Sequence, residues 1–214
     1  MYSIASPESL RDAAKHLASA DADLAPIIAI AGLPSITPNK NYYQALVESI
    51  ISQQLSVKAA ATILKRFLAL FPGDEFPTPG QILEKDIEEL RSVGLSRQKG
   101  TYIQDLAVKV LEETVRFNHL DALSNEDVTA ELTKIKGIGV WTVHMFLIFC
   151  MGRLDVLPTG DLGIKNGIYN LYNLKEKPTS EEMEIVAKLH KWHPYESVAS
   201  WYIWHSLDNK PAIS

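Results

Sequence analysis

Lys136-Gly137-Ile138-Gly139 separates two stretches of helical periodicity and limits what can surround it. On one side, Asn125 to Thr133 starts on a Ser124 cap and places Val128 and Leu132 on one face; on the other, Trp141 to Met151 reads as a second apolar helix. Two glycines flanking one apolar residue allow positive φ and let a partner approach with no Cβ in the way, while the next helix begins at once with its free N–H groups aimed outward. The turn, Ile135 to Val140, is therefore a candidate anion site, with Ile138 expected to anchor it in the core.

The flanks add chemistry. Leu132 to Leu154 contains Lys134, Lys136 and Arg153 and no carboxylate, after which the run Leu154 to Ile164 brings Asp161 to the start of another helix behind Pro158 and Gly160. By itself Asp161 reads as an N-cap and Trp141 as a core aromatic. Asp155 reads as a structural acid, capping or pairing inside the loop.

On these residues the chain resembles the helix-hairpin-helix DNA glycosylase superfamily, in which a Leu/Ile-x-Gly-Ile-Gly hairpin and a helix containing Trp-Thr precede Asp-Val-x-Pro-x-x-Asp. Within it the chain is similar to the 3-methyladenine (alkylpurine) DNA glycosylases, including the short yeast-type members. The resemblance spans nearly the whole chain. It implies two helical lobes, residues 40–153 with the hairpin and residues 1–39 plus 154–214, with an active-site cleft between them.

The resemblance also assigns roles. Asp161 becomes the catalytic acid, supporting an oxocarbenium-like sugar and positioning or deprotonating water. Trp141 stands where bifunctional members carry a lysine, so no Schiff base is expected. Trp141, Met145 and Tyr195 are the base-pocket candidates; Met145 departs from the Tyr of bacterial members, and Trp192 and Tyr195 match an aromatic stretch of the C-terminal lobe. An alkylated purine is cationic, which suits an aromatic face and makes the base a good leaving group.

Gln53-Gln54-Leu55-Ser56 is similar to the family's minor-groove wedge loop, with Gln54 as the wedge and Ser56 a small neighbour that also reads as a helix cap. Arg97 and Lys99 are candidates for a second phosphate-contacting turn, and Lys136, Gly137, Ile138 and Gly139 for the main one. The resemblance implies a monovalent cation at the hairpin carbonyls. No cofactor is expected, and His190 with His193 reads as a surface pair, not a metal site.

Elsewhere the chain reads as all-α. Helices are expected from the Ser6 cap to about Ser19, over Leu24 to Ala31 on an Asp23 cap, Asn41 to Ser52, Ser56 to Leu70, Gln81 to Leu90, onward from Ser96, and near Leu162 to Asn173, Ser180 to Leu189 and Tyr195 to Leu207. A net charge of −5 at first opposes nucleic acid, but acids gather at Asp74 to Glu89 and Glu176 to Glu184 while Lys58, Lys65, Arg66, Arg97 and Lys99 lie in acid-free stretches. Cys150, the one cysteine, excludes a disulfide framework and a cysteine-rich cluster. With no membrane-length apolar run and no signal peptide after Met1-Tyr2, the expectation is an intracellular monomer, nuclear if eukaryotic and otherwise cytoplasmic.

The expected function is a monofunctional glycosylase acting on alkylated purines such as 3-methyladenine and 7-methylguanine in double-stranded DNA. The alternative is a protein of the same fold that binds damaged or abasic DNA with little base release, and a more distant one is a helical module whose hairpin contacts protein.

Overall fold

The computed structural model describes residues 3–73 and 75–208, so residues 1, 2, 74 and 209–214 lie outside the described residues. In chain order come α1 (Pro7–Ala20), α2 (Ala25–Ala31), α3 (Tyr42–Ser52), α4 (Val57–Leu68), α5 (Pro79–Leu83), α6 (Ile87–Ser92) and α7 (Arg97–Leu111). A 3-10 turn (Phe117–Ala122), α8 (Asn125–Leu132), α9 (Val140–Met145), a π turn (Phe146–Cys150), α10 (Leu162–Leu171), α11 (Ser180–Leu189) and α12 (Glu196–Asp208) follow. Among the described residues β pairing is confined to one isolated bridge, Ile4 to Arg153. The fold is all-α, and no described helix is long and apolar enough to cross a membrane.

Most helix starts follow from side-chain caps. Ser6, Ser56, Ser96, Ser124 and Thr179 each accept from the backbone three residues on, satisfying an N–H that the helix leaves without a partner. Two expectations are corrected. Gln81 to Leu90 is not one helix: Asp86 accepts from Glu88 and Glu89, forms a capping box, and starts a new helix after α5 has ended. Asp23 does not cap α2; the buried Asp21 carboxylate accepts from the N–H groups of Asp23 (3.1 Å) and Leu24 (3.0 Å) instead.

The chain forms two compact units, Met1–Lys40 with His144–Ser214, and Asn41–Val143. In the first, α12 packs on α10, α1 and α2 over buried Leu10, Leu17, Ile164, Ile168, Tyr202 and Ile203. In the second, α7 packs on α3, α5 and α6 over Ile50, Ile51, Ile82, Leu90, Ile103 and Leu106. Burying each such side chain contributes about 1.5–3 kcal/mol.

The discontinuous unit resumes at residue 144, ten residues before the expected boundary after 153. Hydrogen bonds to the N-terminal segment account for it: Asn39 N–H to Cys150 O (2.8 Å), Ala5 N–H to Gly152 O (2.7 Å) and Leu154 N–H to Ser3 O (3.2 Å). Gly152 has φ +72°, and a Cβ there would lie 2.4 Å from Pro38 Cγ, so glycine is required for this apposition.

Candidate active site

Asp161 is the N-cap of α10. Its Oδ1 accepts from Ile164 N–H (2.8 Å) and from the indole N–H of Trp204 on α12 (2.9 Å). Two donors from different helices fix the carboxylate more firmly than a cap alone does. Gly163 makes the approach possible: a Cβ there would sit 3.0 Å from Asp161 Oδ1 and 3.1 Å from the Trp204 ring. One turn later Gly167 lets Ile203 of α12 come within 2.1 Å of the Cβ it lacks. Phe149, part exposed, lies against Trp204 with ring centroids 5.8 Å apart. Trp204, Phe149 and Gly163 were not singled out from sequence; the one available signal was the pair of glycines four apart in α10.

Met145 and Tyr195 belong to the same unit as Asp161 and are both half-buried, Tyr195 meeting His16 edge-on at 5.2 Å. Trp141 belongs to the other unit and is 48% exposed, which a plain core role does not explain. Trp192, in contrast, is fully buried and donates to Asp21 Oδ2 (2.8 Å), a packing role.

Contrary to expectation, Asp155 neither caps nor pairs among the described residues: its buried Oδ1 meets no hydrogen-bond partner there. It lines a cavity of about 400 Å³ together with Leu157, Lys188, His193 and Glu196. His193 pairs with Glu196 (3.0 Å), while His190 sits near Asp21 and Asp23 with ligand atoms within 4.8 Å of one another. That trio does not suit a metal, since Asp21 already accepts from Tyr172 (2.5 Å), Trp192 and two backbone N–H groups. His144, on α9 beside Met145, has a buried Nδ1 that meets no hydrogen-bond partner among the described residues, and burial lowers its pKa.

In the other unit, α8, the hairpin and α9 follow one another as expected, with Ile135 and Ile138 buried in the core. Gly137 has φ +81°, and a Cβ there would lie 2.0 Å from the Tyr102 ring, so the position needs glycine for both conformation and space. Among the described residues the N–H groups of Gly137 and Gly139 meet no acceptor. Of the carbonyls, Ile135 O accepts from Ile138 N–H (3.1 Å) and Gly137 O from Gln53 Nε2 (2.9 Å). Each keeps one lone pair, and a neutral carbonyl set fits a monovalent cation better than a divalent one that favours carboxylates.

The wedge-loop residues form a tight turn between α3 and α4. Gln54 is exposed with φ +56°, unusual for a residue bearing a Cβ. Leu55 and Ser56 are also exposed, and Ser56 caps α4. Gln53 is half-buried, and its amide donates to Gly137 O of the hairpin.

Several cations differ from the sequence expectation because the fold supplies acids or backbone carbonyls from elsewhere, or buries them. Arg97 pairs with Glu88. Lys136 lies 3.3 Å from Asp105 Oδ1, and its N–H donates to Asp105 Oδ2 (2.9 Å). Lys99 turns inward: its ammonium donates to Ile51 O (2.8 Å) and Gln53 O (2.6 Å), and desolvation lowers its pKa. Arg153 is buried. Lys58, Lys65, Arg66 and Lys134 are exposed on the hairpin-bearing unit.

Residues 47–193 match the model of the HhH-GPD superfamily base excision DNA repair proteins. The chain belongs to this family. The alkylbase DNA glycosidase-like protein mag2 of Schizosaccharomyces pombe is 36% identical, over 90% of this chain and 91% of its own length. DNA-3-methyladenine glycosylase 1 of the same organism is 35% identical, over 92% and 87%. The solved structure of the S. pombe 3-methyladenine DNA glycosylase Mag1 in complex with abasic DNA superposes with a TM-score of 0.79 at 33% identity, covering 92% of this chain and 97% of that one. The HhH-GPD match takes in the Gln53 turn, the hairpin and Asp161 but ends before Trp204.

Proposed function

We propose that this HhH-GPD protein is a monofunctional DNA glycosylase that hydrolyses the N-glycosidic bond of alkylated purines in double-stranded DNA, with 3-methyladenine and 7-methylguanine as substrates. The observation that carries the reading is the Asp161 carboxylate, held by Ile164 and Trp204 at the end of the loop where the family motif ends. The relatives named as 3-methyladenine glycosylases support the substrate class.

In this reading the bond from C1′ to the purine nitrogen breaks with its electron pair passing to the base, which neutralises the positive charge that alkylation had placed there. The sugar becomes oxocarbenium-like, Asp161 stabilises it, and water adds to C1′ while losing a proton to the carboxylate or to solvent. No general acid is needed for so good a leaving group. The resemblance makes Trp141, Met145 and Tyr195 candidates for contact with the base, and an aromatic face suits its positive charge. With tryptophan at position 141, no lysine attacks the sugar there and the strand is not cut.

Gln54 is the wedge, and the Gly137 and Gly139 N–H groups take a backbone phosphate. A monovalent cation, when bound, would be held by hairpin carbonyls and would add positive charge near that phosphate. The protein acts as a monomer, in the nucleus of a eukaryote or the cytoplasm of a bacterium.

A second reading, binding of abasic or damaged DNA with little base release, is favoured by Ser56, whose small side chain is already occupied as a cap. Matched duplexes carrying 3-methyladenine, 7-methylguanine or an abasic-site analogue separate the two. Base release by the wild type that is lost in Asp161→Asn, with binding retained, supports the glycosylase; tight abasic-site binding with no release by either protein supports the second reading.

A further inference from the structure

One face of α7 holds both turns that the proposed function assigns to DNA. Lys99, Tyr102 and Asp105 are spaced three apart, so they share that face. Lys99 donates to Ile51 O and Gln53 O at the end of α3, the Tyr102 ring lies against Gly137, and Asp105 accepts from Lys136 N–H. Gln53 closes the circuit by donating to Gly137 O (2.9 Å). The last carbonyls of a helix have no intrahelical donor, and an ammonium placed among them also meets the negative end of the helix dipole. Immediately beyond this anchor the chain turns through the left-handed Gln54 and presents it to solvent.

We propose that Lys99 is a positioning residue for base flipping: it braces the Gln53–Ser56 turn so that Gln54 enters the duplex as a rigid wedge, and it does so without touching DNA. The proposal rests on the reading of Gln54 as the wedge of a glycosylase. A wedge must hold open a gap that base stacking tends to close, and a turn free to move would lose conformational entropy on every insertion. The two hydrogen bonds from Lys99 remove that freedom before DNA arrives, and the Gln53 bond keeps the turn in register with the hairpin.

The position makes a claim different from that of a phosphate-binding lysine. Removing a phosphate contact weakens binding to every duplex and reduces the slope of log K against log salt by about 0.9. Removing a brace leaves that slope unchanged and penalises only the substrates that must be forced open.

The test compares the full-length wild type, Lys99→Met and Lys99→Arg. Single-turnover release of 7-methylguanine is measured from a matched duplex and from a duplex in which the lesion faces an abasic-site analogue, where less stacking and pairing must be broken. The salt slope of binding to an abasic-site duplex and the thermal melt are recorded alongside.

The expected result for Lys99→Met is a fall of about tenfold or more on the matched duplex, a fall of less than about threefold on the pre-opened one, and an unchanged salt slope. Lys99→Arg, which keeps charge and donors, recovers most of the loss. Equal loss on both duplexes, or a salt slope reduced by about 0.9, overturns the proposal. If Lys99→Met melts below the assay temperature, the same split is read from Gln53→Ala, and its absence there overturns the proposal equally. A wild type that releases no base from either duplex instead refutes the glycosylase reading beneath it.

Discussion

Trp204 donates its indole N–H to the Asp161 oxygen that caps α10, although the two residues are 43 positions apart. The bond joins α10 to α12 and fixes the plane of the carboxylate at the position where the proposed chemistry needs it. Trp204→Phe keeps the aromatic volume and removes the donor. The expected outcome is about a tenfold drop in single-turnover base release, equivalent to losing one hydrogen bond of roughly 1.4 kcal/mol, with KM little changed.

Asp161 has two roles that substitution separates. Asparagine retains a side-chain oxygen able to accept from Ile164 N–H, whereas alanine does not. Both variants lose base release, but in urea unfolding Asp161→Ala is expected to be about 1 kcal/mol less stable than Asp161→Asn. Equal stability of the two would mean that the cap contributes nothing.

At Gly137 the limit is geometric. An added Cβ meets the Tyr102 ring at 2.0 Å on a backbone with φ +81°. Gly137→Ala is therefore expected to lower stability by about 1–3 kcal/mol and to weaken duplex binding, because relief requires moving either the ring or the hairpin. Pairing it with Tyr102→Ala restores part of the stability, since the φ cost remains. Thermal melting of Gly137→Ala, Tyr102→Ala and the double variant reads the difference.

Stability should fall at both ends of the pH scale. Burial pushes Tyr202 up to about 12, and Tyr43 and Tyr172 are also raised, chiefly by desolvation. Below pH 10 these phenols are protonated in both states. Above it the unfolded chain loses protons that the native chain keeps, so stability declines as pH rises toward 12 and beyond. On the acid side, His144 is held below its usual 6.5 by burial, so below that pH the unfolded chain binds a proton that the native chain resists. Melting temperature measured against pH is expected to slope down at both limits, with Tyr202→Phe shallower above pH 10 and His144→Gln shallower below 6.5.

What the sequence disclosed was local. Ser6, Ser96 and Ser124 announce helix starts because a cap acts over three residues, and Ile138 between two glycines could hardly be anything but an anchor. The break at Asp86 was written in a capping box, but helices of five and six residues give too little periodicity to be told from one of ten. Lys99 looked like a surface cation because its acceptors are backbone carbonyls 46 and 48 residues away, and no pattern in side chains reports those. Arg97 and Lys136 looked unopposed for the same reason, their acids being Glu88 and Asp105 on neighbouring turns of the fold. The Asp161 motif was legible, whereas its indole partner was not.

Enzymes commonly trade stability for function, and replacing a catalytic group then makes the fold sturdier. Asp161 is the opposite case, because the side chain proposed for chemistry also starts a helix. Evolution would feel both demands at one codon. A descendant that abandoned base release could keep the helix start with asparagine or serine as well as with aspartate, so an acid retained at this site answers a demand that the cap alone does not make.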